Sequence, residues 1–179
     1  MDLGGLLSKY LNASGDAHPE TADHFDQVAQ QAPTDVMKQG ISDALRSDAT
    51  PSLGEMVSQA FSRADPQQRA GMLNEIISSL GPSVLSSLGG AAGGAGAGGA
   101  LGGILGQLTR GGTPQVTPEQ ASQVPPSTVQ DLANHAEKHD ASIFDKLGDF
   151  YAHNPDLVKA LGVSVLGVAL SKIAGRMRS

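Results

Sequence analysis

Apolar residues recur along this chain at spacings of three and four, and no stretch alternates apolar with polar residues in steps of two. The first period belongs to helices and the second to strands. The pattern therefore predicts an all-α fold. Leu3, Leu6, Leu7 and Leu11 share one face of a short first helix, and breakers follow at residues 12–19. Pro19, Glu20 and Thr21 open a second helix with proline in its first turn. Its apolar face is Phe25, Val28 and Ala29. Thr34 and Asp35 are placed to cap a third helix, whose stripe is Val36, Met37, Ile41, Ala44 and Leu45. After a loop at residues 48–51, Leu53, Met56, Val57, Ala60 and Phe61 give the clearest amphipathic pattern in the chain. Asp65 and Pro66 begin a further helix carrying Met72, Leu73, Ile76, Ile77 and Leu80, which Gly81 and Pro82 are expected to stop. Five helices with short loops can bury a shared core, so residues 1–87 read as an N-terminal helical bundle.

The helical period resumes near Ser127 with Val129, Leu132, Ala133 and Ala136, and continues with Ile143, Phe144, Leu147, Phe150 and Tyr151. Asn154 is placed to cap a last helix, DLVKALGVSVLGVALSKIAG, which is apolar nearly all round between Lys159 and Lys172. That run falls short of the about 20 residues a membrane-spanning helix needs. It reads as a helix buried in a bundle, or as an interfacial segment. Gly162 and Gly167 would let a neighbour approach closely, and Lys172, Arg176 and Arg178 suit the negative end of the helix dipole. Residues 127–179 thus read as a C-terminal helical module.

Between the two modules, residues 88–112 read LGGAAGGAGAGGALGGILGQLTRGG and hold roughly half of the chain's 23 glycines. No charged side chain occurs between Glu75 and Arg110. A lone solvated helix with this many glycines would be about 10 kcal/mol less favourable than its alanine counterpart. One reading of residues 88–126, which include Pro114, Pro118, Pro125 and Pro126, is therefore a Gly/Ala- and Pro-rich linker. The other is a glycine zipper. Gly90, Gly94, Gly98, Gly102 and Gly106 recur every four residues, and in a helix such a row forms a groove for a second helix.

Composition narrows the function classes. Net charge is −6, which argues against wrapping nucleic acid. With no Cys, thiol catalysis, disulfides and cysteine-ligated zinc are excluded. The start, MDLGGLLSKYL, lacks the basic region of a signal peptide. The expected location is the cytoplasm, with membrane association through the uncharged tract as the alternative.

One helix offers candidate chemistry. Asp131, His135 and His139 follow one another at four-residue steps, and two histidines four apart can ligate a divalent metal. A zinc-protease helix needs a Glu directly after the first His, and here that position is Ala136. The competing reading is a solvated polar face opposite Val129, Leu132 and Ala136. No phosphate-binding loop, dinucleotide fingerprint or nucleophile motif is present.

The phrases DHFDQVAQQAP, DPQQRAGMLNEIISSLGP and FYAHNPDLVKALG, flanking a glycine tract, resemble a group of uncharacterised bacterial helical proteins. The resemblance implies a bacterial, helical, non-enzymatic protein and brings no cofactor or catalytic residue. The expectation is a structural or interaction protein that self-associates as a homo-oligomer, or tethers a protein partner, through small-residue helix packing. A membrane-inserted oligomer and a weak metal binder are the alternatives.

Overall fold

A computed structural model describes residues 3–11, 19–91 and 115–178. Every regular element among them is an α-helix. The helices group into two compact units, one formed by Met1–Ser52 with Phe144–Ser179 and the other by Leu53–Ile143.

The first unit contains α1 (Leu3–Leu11), α2 (Thr21–Gln31), α3 (Thr34–Leu45), α8 (Ile143–His153), α9 (Pro155–Ala160) and α10 (Val163–Met177). Helix α10 is its hub and packs against α1, α2, α3 and α9. This explains why its sequence is apolar all round. Val165, Leu166, Gly167, Val168, Ala169, Leu170, Ile173 and Ala174 are all buried. Helices α2 and α3 both pack on it, and Phe25, Val28, Met37, Ile41, Ala44 and Leu45 of their predicted stripes are buried. Ser42, itself buried, donates from Oγ to the Phe144 carbonyl at 3.0 Å and ties α3 to α8. Arg176 donates from Nη2 and Nε to Asp43 Oδ2 at 2.7 and 3.1 Å, and from Nη1 to Gln39 Oε1 at 2.7 Å. These bonds fasten the end of α10 to α3.

The second unit contains α4 (Leu53–Arg63), α5 (Pro66–Ala91), α6 (Pro118–Gln123) and α7 (Pro126–His139). Helix α7 packs on both α4 and α5, and α6 packs on α5. Asp65 and Gln68 form a reciprocal cap, with Gln68 N donating to Asp65 Oδ1 at 2.8 Å and Asp65 N donating to Gln68 Oε1 at 3.2 Å. The Arg69 guanidinium lies 5.2 Å from the Phe61 ring centroid and donates from Nε to the Phe61 and Ala64 carbonyls at 2.9 and 3.0 Å. It thereby satisfies carbonyls that the end of α4 leaves open.

Several details depart from the sequence pattern. The helix expected to stop at Gly81 and Pro82 breaks there and restarts. Gly81 takes φ 69° and ψ 166°, and α-helical backbone continues to Ala91. The start of the Gly/Ala tract is thus the end of α5. The single last helix is two, divided at Gly162, whose φ of 102° only glycine adopts readily. No atom lies within 4 Å of where its Cβ would sit, so Gly162 serves a turn and not helix packing. Thr34 lies inside the first turn of α3, Pro33 holds the cap position, and no side chain caps it. Asn154 likewise gives no cap bond to α9, and its Nδ2 donates back to the Phe150 carbonyl at 2.8 Å.

The partition also differs from the one composition suggests. Residues 115–126 do not behave as a spacer. Val116, Ala121 and Val124 are buried, Thr117 and Gln120 form a capping box on α6, and Val116 N donates to Asn74 Oδ1 on α5 at 2.7 Å. The helices of residues 1–87 divide between the two units, because an amphipathic stripe shows that a face is buried without naming its partner.

Close helix approach at small residues is present in both units. A Cβ on Gly40 of α3 would collide with the Ile173 side chain and sit 3.2 Å from its backbone nitrogen in α10. On Gly54 of α4 it would lie 2.6 Å from the Gln130 carbonyl oxygen of α7. On Gly148 of α8 it would collide with Ser42 Oγ and lie 2.9 Å from the Lys38 carbonyl oxygen of α3.

Candidate functional site

A group of ionisable side chains lines a cavity where α1 meets the start of α2. Helix α1 buries Leu6, Leu7 and Tyr10, which places the Tyr10 ring inside and its hydroxyl toward α2. Helix α2 turns Thr21, Phe25 and Val28 inward, and His24 lies on the margin of that face, with 12 % of its side chain exposed. The Tyr10 hydroxyl and His24 Nδ1 are 2.7 Å apart, and their rings meet edge to face at 5.8 Å. The same hydroxyl is 3.5 Å from Thr21 Oγ1, which keeps that buried threonine supplied with a partner. On the other side of the imidazole, Nε2 is 3.8 Å from Glu20 Oε2, one helical turn back. Lys9, Tyr10, Glu20 and His24 line a cavity of about 280 Å³.

The chain of contacts runs carboxylate, imidazole, phenol. The phenol fixes the imidazole, whereas the exposed Glu20 carboxylate, at 3.8 Å, lies beyond hydrogen-bond reach. The firm role of the group is structural, since the Tyr10–His24 bond joins α1 to α2 across a buried boundary. The Glu20–His24 spacing of four residues was a readable signal, whereas Tyr10 lies fourteen residues away and only the fold supplies it.

The predicted metal ligands fare differently. Asp131, His135 and His139 are all exposed on α7. His135 Nδ1 is 2.8 Å from the Asp131 backbone carbonyl oxygen, so the ring is turned back onto its own helix. Among the described residues no three His, Asp or Glu side chains are grouped to hold a metal ion. The opposite face of α7, with Val129, Leu132, Ala133 and Ala136, is the buried one. A four-residue step puts side chains on one face, but a further ligand must come from elsewhere, and none of the described residues supplies it.

Of the glycines read as packing positions, Gly167 is buried in α10 and Gly90 lies in the helical backbone ending α5. Gly94, Gly98, Gly102 and Gly106 lie outside the described residues. The glycines seen to admit a neighbouring helix, Gly40, Gly54 and Gly148, carry no repeat that would flag them.

Lys159 on α9 bridges two carboxylates, with Nζ 3.0 Å from Asp26 on α2 and 2.8 Å from Asp156 one turn back. Hydrogen bonds to Asp156 and then Asp26 hold its pKa above the usual lysine value. Burial holds the Tyr151 phenol well above the usual tyrosine value. Both are fixtures of the fold.

No helix of the described residues is long and apolar enough to cross a membrane. No protein-family model, no curated protein and no solved structure matches this chain.

Proposed function

We propose that this chain is a non-enzymatic structural or interaction protein that associates with itself, or tethers a protein partner, through small-residue helix packing. What supports the reading is the way the chain already builds its own helix pairs. At Gly40, Gly54 and Gly148 a missing side chain lets a second helix reach the backbone, which is the contact that a glycine row offers a partner. The four-residue register begins at Gly90, inside the helical end of α5. Gly94, Gly98, Gly102 and Gly106 continue it in the sequence.

Sedimentation velocity on the full chain over a range of concentrations tests the reading. The wild type is expected to associate, and a Gly94→Leu, Gly98→Leu variant to remain monomeric with unchanged far-UV circular dichroism. A variant that associates like the wild type would rule the glycine row out as the contact. Fractionation of lysed cells with an alkaline wash is the companion measurement. Retention in the washed membrane would move the row's role into lipid.

A further inference from the structure

Along α1 and α10 of the first unit runs an open cleft of about 390 Å³, within the usual range of small-molecule pockets. Buried Leu7 and Ala174 contribute to its wall, as do half-buried Leu11 and exposed Met177. Gly4 and Ser8 add little bulk. The Ser8 hydroxyl is already committed, donating to the Gly4 carbonyl at 2.7 Å. Exposed Arg178 completes the lining, and its guanidinium has no hydrogen bond or ion pair among the described residues. The other arginine of this region, Arg176, is held by Asp43 and Gln39.

We propose that this cleft binds a fatty acid, its alkyl chain along Leu7, Leu11, Ala174 and Met177 and its carboxylate on Arg178. An apolar wall ending in a cation that no described residue pairs matches a ligand that is apolar along its length and anionic at one end. A peptide strand fits less well. It brings an amide at every residue, each costly to bury unpaired, and the one hydroxyl in the wall is occupied. The inference is independent of the glycine row, since it rests on α1 and α10 alone.

Isothermal titration of the full-length protein with dodecanoate, below its micellar concentration, tests it. Dodecyltrimethylammonium is the comparison ligand. One dodecanoate is expected to bind per chain. Ser8→Phe, at an exposed helix position, fills the cleft and should weaken binding at least tenfold. Arg178→Gln should weaken dodecanoate by up to about fivefold, the upper end for an exposed charge pair, without weakening the cationic ligand. Circular dichroism of both variants checks the fold. No saturable dodecanoate heat, full affinity in Ser8→Phe, or equal effects of Arg178→Gln on both ligands would overturn the proposal.

Discussion

Substituting Gly148 by alanine sets two ordinary effects against each other. Within a helix, Gly→Ala is worth about 1 kcal/mol of added stability. Gly148, however, lies where α8 crosses α3, and its new methyl would collide with Ser42 Oγ and approach the Lys38 carbonyl oxygen to 2.9 Å. A side chain can rotate away, but a helix carbonyl moves only with its helix. Overpacking of this kind costs about 1–3 kcal/mol. Displacing Ser42 also weakens its bond to the Phe144 carbonyl, a further loss of about 0.5–1.5 kcal/mol. The net expectation is a loss of about 1–3 kcal/mol, or about 2–12 °C in Tm for a chain of this size. Tyrosine fluorescence reads the right part of the molecule. The chain has two tyrosines and no tryptophan, and Tyr10 and Tyr151 both belong to the unit formed by Met1–Ser52 and Phe144–Ser179. Gly175→Ala in α10 is the control, because no atom lies within 4 Å of its Cβ position. It should gain up to about 1 kcal/mol. If Gly148→Ala melts at or above the wild-type temperature, the close crossing of α3 and α8 is wrong.

Two further outcomes are expected. The alkaline limb of stability should be steep: Tyr151 and Lys159 both have folded pKa values raised above their ordinary values of 10.0 and 10.5. Their contributions are whole below those values and fall as pH rises through them, because the unfolded chain releases these protons first. Tyr151→Phe should flatten the decline in urea midpoint between pH 9 and 11, and an unchanged slope would remove the buried phenol as its cause. Asn74→Ala strips the side-chain partner from Val116 N, which should cost about 1–3 kcal/mol and speed deuterium exchange at the Val116 amide. Protection equal to wild type would mean that this contact does not anchor the segment entering α6.

Helix positions and buried faces were legible in the sequence because each depends on local spacing. Phe25, Val28, Met37, Ile41 and the stripe from Leu53 to Phe61 are buried as their periods require. Pairing was not legible. Nothing in the stripe of α3 distinguishes α10, far along the chain, from α4 nearby. Glycine roles were hidden for the same reason. Gly162 belongs to a turn because the chain breaks there between α9 and α10 with a positive φ, and Gly54 is needed because Gln130 and Asn134 lie across from it. The exposed face of α7 was readable as a histidine pair, whereas the Tyr10–His24 contact joins two helices whose approach no spacing rule encodes.

The interleaving of the two units has a consequence for synthesis. Translation delivers α1, α2 and α3, with buried Phe25, Val28, Met37 and Ile41, well before α10, the helix on which all three pack. Leu53–Ile143 lies between, a delay of roughly 5–20 s at usual elongation rates of about 5–20 residues per second. The intervening unit is contiguous and can fold as it leaves the ribosome. The first three helices must meanwhile hold their apolar faces without their hub, and in that interval they are the part of the nascent chain that a chaperone would grip.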